Sequence, residues 1–332
     1  MARVLLIRLS SLGDLVQELP IARALHDLGH APALVVEARF AGLLRLVPFP
    51  VEVLAWRRGV AGTLALRGAG REYDVVVDLQ GNWKSALVGL ALAGARVHRA
   101  AAGQLRERSS TLVPSRHVPA GNGVHVLERS WHVVRAALGL TLDAAALPAP
   151  PLLRPSGTEA LDAGLEALGL GGEAPLVACL HGPAADPRSW PAAQALGLER
   201  ELGVPVLHVL GPRERGLDLP PSARVLRQDA SDPAELAALA AVLVRRGGAA
   251  VGHDGGAMHL LRACGARTLF LFGPQDPART GPRDGVVLRA PVELACRPCL
   301  ARRCRLPEGN RCMREIGAGE VGKALSALLA AG

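Results

Sequence analysis

The sequence predicts an α/β protein made of two doubly wound, parallel-sheet halves facing a cleft. Three features predict it. Short runs that are apolar on both faces alternate with helical patterns along the 332 residues, as buried parallel strands and their crossover helices do. A chain longer than roughly 250 to 300 residues usually splits its core. A proline-rich stretch from Ala145 to Pro155 falls near mid-chain, and proline can neither continue a helix nor sit in a central strand.

In order, the runs Val4–Ile7, Ala33–Val36 and Val75–Asp78 supply strands of the first half, residues 1–150, with a helix over Pro20–Leu28. The second half, residues 151–316, takes strands from Leu176–Leu180, Val206–Leu210, Ala249–Gly252 and Thr268–Phe272, and a helix from Pro233–Val244. Residues 317–332 read as a closing helix. Each half opens alike: Ala2–Ile7 runs into Ser10–Asp14 and a helix, and Pro175–Leu180 into His181-Gly182-Pro183 and, later, Trp190-Pro191. In open α/β sheets ligands gather at the carboxyl ends of the strands, so both loops are expected to line the cleft.

Composition narrows the function. With 49% hydrophobic and 20% charged residues, the chain is neither disordered nor fibrous. The 38 Lys+Arg against 30 Asp+Glu leave +8, and only Lys84 and Lys323 are lysine. Arginine grips phosphate and carboxylate with a two-pronged fork, so anionic ligands are favoured; a codon-biased genome gives the same count. An aromatic content of 3% leaves few stacking platforms for single-stranded nucleic acid. No run approaches the roughly 18 apolar residues of a spanning helix, and Arg8 interrupts the apolar start, so a cytoplasmic location is expected.

Familiar motifs fail. The one G-x-G-x-x-G, Gly317 to Gly322, follows no strand, and Ala324 stands where a phosphate loop ending in Gly322-Lys323 needs Ser or Thr. There is no Gly-x-Ser-x-Gly and no Asp-x-Asp. What remains is a carboxylate in Ser10-Ser11-Leu12-Gly13-Asp14, placed to accept a proton from a substrate hydroxyl or to cap the helix. Next comes His253-Asp254-Gly255-Gly256-Ala257-Met258-His259, whose glycines let N–H groups approach an anion or simply turn the chain. Arg188 can reach a phosphate, and Glu214 follows the Val206–Leu210 strand where an acid often holds ribose hydroxyls. Cys296, Cys299, Cys304 and Cys312 supply enough thiolates for tetrahedral zinc, although their spacing is not a clean pair of C-x2-C.

Taken together, Arg3 to Asp14, Tyr73 to Gly81 with Lys84-Ser85, Arg188-Ser189-Trp190-Pro191, His253 to Leu260 and Phe272 to Pro277 resemble glycosyltransferase family nine, the lipopolysaccharide core heptosyltransferases. The match runs from Ala2 to about Ile316, and the tail from Cys296 to Ile316 resembles the heptosyltransferase II branch. The resemblance implies a GT-B fold, with an acceptor-binding first domain, a nucleotide-sugar-binding second domain and a final helix that packs back on the first. It implies ADP-heptose as donor, an anionic lipopolysaccharide core as acceptor, and inverting transfer without metal. It puts Asp14 at the general-base position. Arg188 stands in place of a phosphate-binding lysine, Glu214 as the ribose acid, and Asp254, Gly255, Gly256 and His259 in the donor motif. Ser10, Ser11, Gly13 and Lys84 fall on the acceptor side. Two departures stand out: Arg188 replaces lysine, and Gly255 replaces the usual Thr or Ser. The cysteine cluster reads as structural, zinc or reduced thiols, with no cofactor required for catalysis. The basic first half implies peripheral contact with the anionic inner leaflet at about 1 kcal/mol per basic residue, and no nucleic-acid partner. A sugar or acceptor other than these, a noncatalytic binder of glycolipid or nucleotide, and a basic zinc-ribbon nucleic-acid protein are the competing readings.

Overall fold

The computed structural model describes residues 1–155, 157–214, 216–228, 233–301 and 303–331. The chain divides into two compact units, Met1–Leu152 and Leu153–Gly332, and the break falls inside the proline-rich stretch.

The first unit carries strands β1 (Arg3–Ile7), β2 (Ala31–Glu37), β3 (Glu52–Trp56), β4 (Val75–Asp78), β5 (His98–Arg99) and β6 (Arg116–His117). Its helices are α1 (Leu12–Asp27), α2 (Val60–Ala65), α3 (Trp83–Ala93) and α4 (Val126–Leu138). The second unit carries β7 (Val177–Leu180), β8 (Val206–Leu210), β9 (Arg224–Arg227), β10 (Ala249–His253), β11 (Arg267–Phe272) and β12 (Val286–Arg289). Its helices are α5 (Glu159–Ala167), α6 (Ala192–Glu201), α7 (Pro233–Arg245), α8 (Gly256–Ala263), α9 (Pro277–Thr280), α10 (Arg311–Arg314) and α11 (Ala318–Ala330).

All strand pairings are parallel, and the sheets run β3-β2-β1-β4-β5-β6 and β12-β11-β10-β7-β8-β9. Counted from its own first strand, each unit has the order 3-2-1-4-5-6, the doubly wound arrangement of a Rossmann-like sheet. The order reverses between β1 and β4 in one unit and between β7 and β10 in the other. Crossovers leave in opposite directions there, so a crevice opens at the carboxyl ends of those strand pairs. The aliphatic runs that predict strands become these central strands. Leu5, Ile7, Ala33 and Val35 join one core; Val177, Cys179, Val251 and Leu269 join the other.

Two expectations change. Helix α1 begins at Leu12, and Pro20 lies inside it; a proline without an N–H leaves one carbonyl of the preceding turn unbonded, a loss that the buried α1 face, with Leu15, Leu19 and Leu25 fully covered, outweighs. Strands β3, β5, β6, β9 and β12 lie toward the edges of the sheets, where half-exposed sequence lacks the continuous apolar signature. The closing helix α11 has Val321 and Leu325 fully buried in the second unit's core. Its Ala318 N–H donates to Gln194 Oε1 of α6 at 3.1 Å. Among the described residues no helix is long and apolar enough to cross a membrane.

Candidate active site

At the β1/β4 switch point of the first unit, a buried polar frame fixes the two loops. Gln80 Oε1 accepts from the N–H groups of Leu9 (2.8 Å) and Ser10 (3.1 Å), tying the loop after β4 to the loop after β1. Asp78 accepts from the Gln80 and Gly81 N–H groups, the Ser85 hydroxyl and Arg99 Nε. Arg99, only 1% exposed, spends its remaining prongs on the Ser110 carbonyl and hydroxyl at 2.8 Å each. A buried charge is tolerable only when its hydrogen bonds are met, and this set meets them. Nearby, Arg8 grips Glu18 with two prongs, and Ser130 donates to the same carboxylate at 2.6 Å. Burial pushes the Glu18 carboxyl up, against the pull of Arg8.

On this frame sits Asp14, in the first turn of α1. Its Oδ2 accepts from both the N–H and the hydroxyl of Ser11 at 2.9 Å. Of the two roles open to this residue from sequence, these bonds fill the helix-start one, and they do so with a single carboxylate oxygen. Ser10 is half-buried, Ser11 exposed and Gly13 buried. Lys84 stands exposed in the first turn of α3, at the same carboxyl end of the sheet.

In the second unit, the loop after β7 and the end of β10 meet at the matching switch point. They meet closely because position 182 is glycine: a Cβ there would fall 2.7 Å from His253 Cε1 and collide with the Ser189 hydroxyl. Arg188 is clamped by Asp186, Nε donating to Oδ1 at 3.0 Å and Nη2 to Oδ2 at 2.7 Å, while Nη1 donates to the Asp254 carbonyl at 3.3 Å. Three of five N–H donors are used, which leaves two for an anion. Asn310 donates to the carbonyls of Pro187 and Ser189, so the chain ahead of α10 braces the same loop.

Asp254 is bonded on both oxygens, by His259 Nε2 at 2.9 Å and the Thr280 hydroxyl at 2.8 Å. Gly255 caps α8 in extended conformation, and Gly256 begins it, so the first-turn N–H groups lack helical acceptors. Glu214, half-buried in the turn Pro212–Glu214, is pushed up by burial and also by the Asp186 charge. His253 is held at about 4, chiefly by burial and then by the Arg188 charge. Against the opposing effect of burial, bonds from Arg188 keep Asp186 below the usual carboxylate range. Thus Arg188, Glu214, Asp254 and His259 fall in one neighbourhood: a fixed cation beside a helix start, able to receive a diphosphate.

Two groups bear on metal. Among the described residues, the group of His, Cys, Asp or Glu whose ligand atoms lie within 4.8 Å of one another is Cys179, His181 and His208. His181 Nε2 and His208 Nδ1 share a hydrogen bond at 2.9 Å, and burial pushes the Cys179 thiol up to about 12, which makes this a neutral packed cluster. Cys296, Cys299, Cys304 and Cys312 are not gathered to that distance. They are close enough that, after burial, the other three thiols help push Cys312 up to about 11.

Residues 65–203 and 230–309, more than half of the chain, match the sequence profile of Glycosyltransferase family 9 (heptosyltransferase). The chain belongs to that family. Lipopolysaccharide heptosyltransferase 1 of Pseudomonas aeruginosa is 32% identical over 328 residues, covering 91% of this chain and 87% of that protein. A family 9 glycosyltransferase from Veillonella parvula has the same fold at a TM-score of 0.77 and 17% identity, covering 100% of this chain and 98% of the other. ADP-heptose lipopolysaccharide heptosyltransferase II of E. coli gives 0.71 at 21% identity, covering 99% of both. The fold is therefore the GT-B fold of these transferases, and the chain is a glycosyltransferase.

Family 9 motifs give positions, yet several working residues carry no motif of their own. Asp186 stands two residues before Arg188, a spacing that suits a local clamp. Thr280 lies 26 residues beyond Asp254, and nothing in the sequence joins the two. A hydroxyl is missing at Gly255, and Thr280 brings one to Asp254 from α9.

Proposed function

We propose that the protein transfers a heptose from ADP-heptose to a hydroxyl of the lipopolysaccharide inner core, with inversion and without a metal. The observation that carries this reading is the clamped Arg188 beside the glycine start of α8, in a chain of the heptosyltransferase family. The relative in Pseudomonas bears the lipopolysaccharide heptosyltransferase name, and E. coli heptosyltransferase WaaC has been solved with ADP and with a fluorinated ADP-heptose.

In this mechanism the free oxygen of Asp14 takes the proton of the acceptor hydroxyl as that oxygen attacks C1 of the sugar. The C1–O bond to the diphosphate breaks on the opposite face, through an oxocarbenium-like transition state, as in inverting glycoside hydrolysis with an alcohol in place of water. Diphosphate leaves as an anion without needing an acid. Arg188 and the first-turn N–H groups of α8 meet the charge it gains, and Glu214 accepts from the ribose hydroxyls. The protein works on the cytoplasmic side, peripheral to the inner membrane, where its acceptor is anchored. Mass spectrometry of truncated core lipopolysaccharides incubated with ADP-heptose tests the reading: a gain of one heptose supports it, and no gain across the set of truncations refutes it.

A further inference from the structure

His253 closes β10, one residue ahead of Asp254, and is half-buried. Two glycines make room for its ring. A Cβ at Gly182 would fall 2.7 Å from His253 Cε1 and 3.0 Å from Nδ1, and a Cβ at Gly255 would fall 3.1 Å from Nε2. The imidazole therefore spans from the loop after β7 to the turn that opens α8, with Nε2 on the α8 side.

The acids that face this ring are already engaged. Asp186 is clamped on Arg188, and both oxygens of Asp254 are taken by His259 and Thr280. Just past β7, His181 gives its Nε2 to His208. Among the described residues neither ring nitrogen of His253 has a hydrogen-bond partner. Burial, aided by the charges of Arg188 and Arg213 and opposed by those of Asp186 and Asp254, holds the ring at about 4, so at neutral pH it carries one N–H and one lone pair. A polar ring that two glycines admit and no neighbour satisfies, beside a guanidinium with two prongs to spare, is built for a ligand rather than for the fold.

We propose that His253 is a further donor-site residue, its Nε2–H donating a hydrogen bond to the diphosphate of the sugar nucleotide beside Arg188 and the first turn of α8. The proton stays on nitrogen throughout. As the bond from C1 to the diphosphate breaks, negative charge gathers on the leaving group, and a donor already aimed there stabilises the transition state more than the ground state. A neutral imidazole adds this bond without a further fixed positive charge for ADP to leave behind. The inference rests on the reading that Arg188 and α8 receive a diphosphate.

The test compares His253→Ala, His253→Asn and His253→Gln in the full chain. A glutamine amide nitrogen reaches to where Nε2 stands, whereas an asparagine amide stops at the Nδ1 position. ADP affinity is read by calorimetry, adenosine affinity by saturation-transfer NMR, and turnover by ADP release from ADP-heptose with a core acceptor, beside a thermal melt. The alanine and asparagine variants are expected to bind ADP about tenfold or more weakly and to turn over more slowly by on the order of 10², with adenosine affinity unmoved. The glutamine variant should bind ADP within about threefold of wild type. Where alanine lowers the melt by leaving a gap, the asparagine and glutamine pair decides alone.

Equal losses for ADP and adenosine would mean a distorted pocket and overturn the proposal. Wild-type ADP affinity in the alanine variant, equal weakening in all three variants, or rescue by asparagine instead of glutamine would overturn it as well. A wild-type chain that binds no ADP would sink the donor reading together with this inference. One that binds ADP and transfers heptose, with a His253→Ala variant that does both equally well, would remove this inference alone.

Discussion

Replacing Asp14 by Asn separates the helix-start duty of its carboxylate from the base role proposed for it. As a helix-start acceptor, Asp14 holds the Ser11 N–H and hydroxyl at 2.9 Å. An asparagine oxygen can still accept there, so the structural loss is mainly that of a negative charge near the helix N-terminus, about 0.3–1 kcal/mol. At roughly 2–4 °C per kcal/mol for a unit of this size, the melting temperature should fall by a few degrees at most. As a proton acceptor the amide is useless, and turnover should fall by about 10² to 10⁴, equivalent to roughly 3 to 5 kcal/mol in the barrier. The catalytic effect thus exceeds the structural one several-fold. ADP affinity, assigned in the proposed reading to the second unit, should stay near wild type. The assay is ADP release with a core acceptor, beside calorimetric ADP titration and a thermal melt. Ser11→Ala is the control, since it removes only one donor to Asp14 and should keep turnover within about tenfold. Turnover of Asp14→Asn within threefold of wild type would remove Asp14 from the base role, and a collapse of the melt would show that capping is its main duty.

Other consequences are open to measurement. Asp186→Asn loosens the Arg188 clamp and should weaken ADP binding by about tenfold, near 1.4 kcal/mol, by calorimetry; unchanged affinity would show that Arg188 needs no clamp. Thr280→Val removes the hydroxyl donor to Asp254 and should cost about 1 kcal/mol, read as a lower urea midpoint, and an unmoved midpoint would count against that bond. His181 and His253 are held at about 4, both chiefly by burial, whereas an unfolded histidine titrates near 6.5. Between those values the unfolded chain binds protons that the native chain refuses, so this contribution should be fully present above about pH 6.5 and lost as pH falls toward 4. Glu18 and Glu214, pushed up by burial, pull the other way, so urea midpoints that rise from pH 6.5 to 5 would refute histidine dominance.

The central strands were legible because parallel strands covered on both faces need unbroken aliphatic runs, and Val4–Ile7 or Val206–Leu210 can be little else. Edge strands such as His98–Arg99 and Arg116–His117 were not, since a two-residue ladder of polar residues has no periodicity to detect. The site was legible where a residue follows a strand: Asp14, Arg188, Glu214 and Asp254 each lie just beyond a carboxyl end. Partners that come from elsewhere in the chain were not. Gln80 reaches back to Leu9 and Ser10 across 71 and 70 residues, and only the β1/β4 adjacency shows why. Pro20 misled because the cost of a missing N–H is visible in the sequence, whereas the burial that offsets it appears only after folding.

Helix α11 contributes Val321 and Leu325 to the second unit's interior, which sets an order of events during synthesis. That interior cannot close until the ribosome has delivered the helix. At about 5–20 residues per second, the first unit has roughly 10 to 35 s to fold by itself while its sister is still incomplete. A nascent chain stalled ahead of Ala318 should therefore hold one finished lobe and one that chaperones still recognise.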